Sequence, residues 1–363
     1  MKRTPLFQPF ITNLEMRLVK KALKSGNLSR GPFVESFEQK FAEFVGCRFA
    51  IAVSSGTAGL DICLKALGIA QNDEIITSAY SFVASANCIL YQKAKPVFCD
   101  INPTNGLINT RNIKKQLSNK TKAILPVDIF GQKCDLSTIR KFGLPIIVDA
   151  CESFGAPILP GALAHVYGFY PNKQITTGEG GMIVTDDEDF ATKLRSLRNQ
   201  GFKKSKDYLN EIDIGYNFRM SDINAALGVA QLQNTKRILN KRRKAAFFYA
   251  KALCNTNEVQ PVLDERDCNI SIFNYPIICK SVAVRDSIIK EFTKNNIEHS
   301  LGFPPLLDFK YIERLADAKS SDFPNTKKFA QRLLCLPIFT SISKRQIKRI
   351  VRSIEQGIKN AQG

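Results

Sequence analysis

Lys173 stands between an aromatic-proline turn, Gly168-Phe169-Tyr170-Pro171-Asn172, and a glycine-rich run from Gln174 to Gly181. Glycines let the backbone approach a ligand closely and adopt positive φ. A lysine amine held in such a pocket is deprotonated more readily, through desolvation or a neighbouring cation, and can form a Schiff base with a carbonyl. A single lysine is more often solvated in a loop, so this run needs company. Asp149 ends the apolar run Leu144-Pro145-Ile146-Ile147-Val148. In parallel α/β sheets ligands bind beyond the carboxyl ends of the strands. A carboxylate there can keep a pyridinium nitrogen protonated; a helix cap or surface turn is the plain alternative. The stretch Val53-Ser54-Ser55-Gly56-Thr57-Ala58 reads as a strand turning through Gly56 into a helix. Such a turn gathers backbone N–H groups and a positive helix end where a phosphate can sit, although small residues are common at any strand–helix turn.

The elements that must hold these residues follow from the hydrophobic pattern. Strand-length apolar runs lie at 49–53, 74–77, 96–99, 123–126, 145–149 and 181–185, with helical spacing between several of them, as at 57–67, 81–90 and 111–117. Short apolar runs separated by helices predict parallel strands covered on both faces. Before them, helices over 14–25 and 33–45 end at Gly26 and Gly46. After Ser221 one long helical stretch leads towards a second region, with a strand at 271–278 and helices at 284–295 and 344–359. The division expected is a large α/β domain over 13–240 and a small α+β domain over 241–363, joined by residues 1–12.

Composition narrows the function classes. The chain has 363 residues, 44% of them hydrophobic and 23% charged, enough for two cores of ordinary size. No apolar run reaches signal-peptide or membrane-span length, so a cytoplasmic protein without membrane partners is expected. The ten cysteines form no CxxC pair and there are only two histidines, His165 and His299, a pattern that predicts no metal site. The formal charge of +19 raises nucleic-acid binding. The basic residues are nevertheless spread along the chain, and the densest run, Lys241-Arg242-Arg243-Lys244, precedes AAFFYA and reads as the wet face of a helix. Such a charge would also attract an anionic substrate.

Together SSGTAGL, VDACESFGA, FYPNKQITTGEGG and GYNFRMSDINAALG, in that order, resemble the DegT/DnrJ/EryC1/StrS family of sugar aminotransferases, and the likeness extends from SGNLSRGPFVESFEQKFAEFVG to DFPNTKKFAQRLLCLPIF. The resemblance implies the aspartate-aminotransferase fold (fold type I), with a mainly parallel seven-stranded sheet, and pyridoxal 5'-phosphate (PLP) as cofactor. It implies that Lys173 carries PLP as a Schiff base and that Asp149 pairs with the ring nitrogen. Ser55, Gly56 and Thr57 match the phosphate cup, Phe82 the residue stacked on the ring, and Glu152 a position close to it. Asn217 matches a residue that reaches the cofactor phosphate of the other subunit, which implies a homodimer.

Two positions depart from the family pattern. Gly168 replaces a serine that often touches the phosphate, and Asp128 stands where many relatives have histidine, on the side expected to face substrate. The activity implied is transfer of an amino group from an amino acid, expected to be L-glutamate, to a keto-sugar, expected to be nucleotide-linked and aminated at C4, with amination at C3 or of a non-nucleotide keto-sugar as the alternative. Relatives with ITTGEGG after the lysine often aminate C4, and those with GDGG often C3. A PLP-dependent sugar dehydratase is the rival within the fold, but such relatives carry histidine in place of the lysine. A basic, non-enzymatic binding protein is the rival outside it.

Overall fold

The computed structural model describes residues 3–202, 213–264 and 266–362. Strands β1 (Phe49–Val53), β2 (Glu74–Ser78), β3 (Lys95–Cys99), β4 (Thr121–Leu125), β5 (Ile147–Asp149), β6 (Ala164–Gly168) and β7 (Gly181–Thr185) build the larger sheet. Ladders join β1-β7-β6-β5 and β3-β2-β4. Parallel bridges at Ile124–Ile146 and Val127–Asp149 link the two groups side by side. Every neighbouring pair is parallel except those of β7, which runs against both β1 and β6. The carboxyl ends of β1, β5 and β6 and the start of β7 therefore meet on one edge of the sheet. That edge is where Ser55, Asp149, Gly168 and Gly181 lie.

β6 escapes the apolar-run reading because Ala-His-Val-Tyr-Gly is short and interrupted by a histidine, yet it is buried on both faces. The helices Asn13–Ser25 and Pro32–Val45 end as expected at left-handed Gly26 and Gly46. The single long helix expected after Ser221 is instead two, Asp222–Gln233 and Thr235–Leu253. The break has a tertiary cause. Buried Glu15 accepts hydrogen bonds from Gln231 Nε2 and from Asn234 Nδ2, both at 2.8 Å, which ties the junction to the first helix.

A second sheet, in the order β10-β9-β8, is antiparallel: β8 (Val259–Pro261), β9 (Tyr275–Cys279) and β10 (Leu333–Leu336). The strand expected over 271–278 begins only at Tyr275, because Ser271 bonds to the large sheet's loops instead: its N–H donates to the Gly131 carbonyl (2.9 Å). Helices Val282–Lys294 and Lys344–Gln362 back this sheet so closely that a Cβ on Gly357 would lie 2.6 Å from Ile288 Cα. The N-terminal segment joins the same body through Thr4, which bonds to Asn296 and Glu298. One continuous apolar cluster runs from Ile51 and Ile183 through Tyr249 to Ile277 and Ile354.

Candidate active site

At the shared sheet edge lies a cavity of about 450 Å³ whose lining includes Ser55, Phe82, Asp149, Glu152, Lys173 and Phe303. Ser55, extended at φ −163°, caps the helix Gly56–Ala66 by accepting the Ala58 N–H on its Oγ (3.0 Å). Gly56 and Thr57 follow on the wall. A Cβ on Gly56 would stand 2.6 Å from Cys151 Sγ, and one on Gly181 would stand 2.6 Å from the Ser55 backbone. Glycine at both positions is thus a matter of space. The result is a cradle of small residues at a positive helix end.

Lys173 follows the turn at Tyr170, closed by its own N–H to the Tyr170 carbonyl (2.9 Å). Its Nζ lies 3.6 Å from Glu152 Oε1 and 4.3 Å from the centre of the Phe273 ring. Glu152 is buried, and its Oε2 accepts the Phe130 N–H at 2.7 Å. Phe130 delivers that N–H from a left-handed backbone conformation, φ 59°, which costs a non-glycine residue about 1–2 kcal/mol. Burial pushes the Glu152 carboxyl above its ordinary range, opposed by Lys173 and the Phe130 N–H. Asp149, also buried, receives Ser85 Oγ on Oδ2 (2.7 Å) and the Cys151 N–H on Oδ1 (3.2 Å). Phe82 is 55% exposed at the cavity mouth, its ring 5.6 Å from that of Phe303.

Two residues singled out in the sequence, Asp128 and Asn217, lie outside this chain's cavity lining. Asp128 does not face the cavity; Val127 and Ile129 on either side of it do. Its carboxylate is turned inward, ion-paired with Lys133 at 2.6 Å and bonded to Ser153 Oγ and the Cys134 N–H. Asn217 is exposed and forms an isolated bridge with Asn199, outside this chain's cavity lining. The basic run also divides. Lys241 and Lys244 are exposed, whereas Arg242 is buried and donates to the carbonyls of Ile272 (2.8 Å) and Phe273. Gly168 packs closely on Cys151, whose Sγ would lie 3.2 Å from a Cβ there.

A model of the DegT/DnrJ/EryC1/StrS aminotransferase family matches residues 9–355. The chain belongs to this family. GDP-perosamine synthase of Vibrio cholerae is 32% identical over 366 residues, spanning 97% of this chain and 98% of that protein. Helicobacter pylori PseC, an aminotransferase involved in the biosynthesis of pseudoaminic acid, superposes with a TM-score of 0.91 at 26% identity, covering 99% of this chain and 100% of PseC. NtdA from Bacillus subtilis with bound cofactor PMP gives a TM-score of 0.89 at 26% identity, over 99% of this chain and 86% of NtdA.

As a member of the DegT/DnrJ/EryC1/StrS family of sugar aminotransferases the protein is a PLP-dependent enzyme, and its residues fit that cofactor. The cradle at Ser55–Thr57 is closed to side chains and open to an anion, Asp149 is a buried carboxylate with unused lone pairs, and Lys173 offers an amine in the same cavity. Among the described residues no group of three or more His, Cys, Asp or Glu is placed to hold a metal ion. No described helix is long and apolar enough to cross a membrane.

Several lining residues carry no local mark of function. Phe273 and Phe303 come from the C-terminal third, and nothing in SIFNY or LGFPP distinguishes them. Ser85 had a readable signal: in the helix expected over 81–90 it follows Ser81 by four residues and shares its face, although the helix begins only at Ala84.

Proposed function

We propose that this enzyme moves the amino group of L-glutamate onto a nucleotide-linked keto-sugar at C4, as a cytoplasmic homodimer serving the synthesis of surface polysaccharide. The observation that carries the reading is the convergence of the Lys173 amine, the Asp149 carboxylate and the Ser55–Thr57 cradle in one cavity. The relatives named above lend weight to a sugar as acceptor, and the Gly178-Glu179-Gly180-Gly181 turn after Lys173 favours C4. The small domain, taken as 241–363 with 1–12, contributes Phe273 and Phe303 to the substrate side.

Bound PLP supplies an electron sink for negative charge at the donor's Cα. Ser55, Gly56 and Thr57 would hold its phosphate through backbone N–H groups and the helix end. Asp149 would hold the ring nitrogen protonated by a charge-assisted hydrogen bond, and Phe82 would cover one face of the ring. Lys173 Nζ would anchor the cofactor and then move a proton between the donor's Cα and the cofactor. Neither histidine lines the cavity, so the lysine is the natural acid–base group. Glu152, 3.6 Å from that amine, orients it between strokes.

The test is a panel of nucleotide-linked 3- and 4-keto-sugars with glutamate as donor, followed by mass spectrometry of the product. Amination of 4-keto substrates is expected, together with complete loss of turnover and of the borohydride-trapped link to PLP in Lys173→Ala. Selective amination at C3 would overturn the regiochemistry, and full activity of Lys173→Ala would overturn the site.

A further inference from the structure

Ser85 is fully buried, on the first turn of the helix Ala84–Tyr91. A serine there can return its hydroxyl to a nearby carbonyl of its own helix. It reaches instead across 64 residues to Asp149 Oδ2 at 2.7 Å, while its oxygen lies 2.7 Å from Ser81 Oγ, itself 1% exposed. Proton counting fixes the direction of this chain. An ionised carboxylate only accepts, and each serine has one hydroxyl proton. Ser85 therefore donates to Asp149, and Ser81 donates to Ser85. The two donors on Asp149, Ser85 Oγ on Oδ2 and the Cys151 N–H on Oδ1, fix the carboxylate plane and leave lone pairs directed into the cavity. Phe82, which lies between the two serines in sequence, lines that same cavity.

We propose that Ser81 and Ser85 form a positioning relay for Asp149, setting the orientation of its carboxylate and its strength as a partner for the cofactor's ring nitrogen. The relay rests on the reading of Asp149 given above. Hydrogen bonds in a chain polarise one another, and one made to a charge is stronger than a neutral one. The last link therefore steadies the ionised form of Asp149 in a buried site, and with it the protonated ring. The segment Tyr80-Ser81-Phe82-Val83-Ala84-Ser85 thus acts twice, placing a ring against the cofactor face and bracing the carboxylate at its edge.

The experiment loads wild type, Ser85→Ala, Ser85→Thr and Asp149→Asn with PLP carrying ¹⁵N in the ring. The ¹⁵N shift is followed against pH, and kcat and KM for glutamate are measured alongside. The relay predicts that Ser85→Ala folds normally by circular dichroism but loses the ring proton about one pH unit lower. Its kcat should fall roughly ten- to hundredfold, as expected for loss of a charged hydrogen bond, with KM changed far less. Ser85→Thr, which keeps the hydroxyl, should restore both readings, and Ser81→Ala should show the same trend more weakly. A wild-type titration curve in Ser85→Ala would overturn the relay while leaving Asp149 in place. A ring nitrogen indifferent to Asp149→Asn would instead overturn the role given to Asp149, and the relay with it.

Discussion

Cys151 fills the notch that glycines at 56 and 168 leave open. Its Sγ would sit 2.6 Å from a Cβ at 56 and 3.2 Å from one at 168, and burial beside Asp149 pushes its thiol well above the ordinary range. The thiol thus takes up the space that a side chain at 168 would need. Gly168→Ser should lower stability by about 1–3 kcal/mol through overpacking. Cys151→Ala together with Gly168→Ser should recover most of that loss, a coupling above about 0.5 kcal/mol in a double-mutant cycle read from denaturant midpoints. Strictly additive effects would show that the two positions do not share the notch. At this scale Lys173, Asp149 and Gly56 were legible because each adjoins a turn whose residues signal it. Asp128 misled because its sequence neighbours face the cavity while its own carboxylate turns inward to Lys133.

Elements were legible where periodicity was strong and unreadable where tertiary contacts decide. Six strands of the larger sheet stand out as apolar runs. β6 does not, because His165 interrupts it, yet that histidine is 3% exposed. Burial, helped by Lys133 and opposed by Asp128, depresses its imidazole from 6.5 to about 4. The sign follows from linkage. Between those values the unfolded chain binds a proton that the native strand refuses, so stability is complete above about pH 6.5 and falls as the pH drops towards 4. The slope is about 1.4 kcal/mol per pH unit, up to roughly 3 kcal/mol in all. Urea midpoints measured from pH 7 to 4 should fall in wild type and fall less steeply in His165→Gln. Parallel slopes would place the acid sensitivity elsewhere. The break at Asn234 is the companion case: QLQNTKRIL keeps its helical pattern, and only the bonds to Glu15, more than two hundred residues away, reveal the junction.

For the whole molecule, the sequence announced charge but not its arrangement. The helix Thr235–Leu253 holds seven basic and no acidic residues, and Lys344–Gln362 six against one. Lys344 Nζ, at the start of the second, rests 4.7 Å over the Phe248 ring of the first. Periodicity could not foretell that two basic helices would meet, because their contact depends on the antiparallel sheet beneath them. Asn217 raises a different whole-molecule question, since it is exposed and apart from its own chain's cavity. Shared sites in a two-fold dimer predict that inactive Lys173→Ala and an inactive Asn217→Trp regain activity when mixed. Heterodimers then carry one intact site, so up to about a quarter of wild-type activity should return after subunit exchange, measured by turnover against time. No recovery despite exchange shown by native mass spectrometry would assign Asn217 to its own chain.

Gly131, at φ 86°, presses so near the second body that a Cβ there would come within 1.8 Å of the Ser271 carbonyl oxygen. Ser271 also donates to Phe154 and accepts from Gln174, while Arg242 grips the next two carbonyls. The wall bearing Phe273 is therefore fastened to the floor bearing Lys173 by one backbone bond, Ser271 N–H to the Gly131 carbonyl, and by the side chains of Ser271, Gln174 and Arg242. In the proposed reaction donor and acceptor would pass the half-exposed Phe82 beside Phe303 at the cavity mouth. With glutamate as the proposed donor, its keto acid would leave by that mouth before the keto-sugar entered, the order of an alternating, ping-pong exchange.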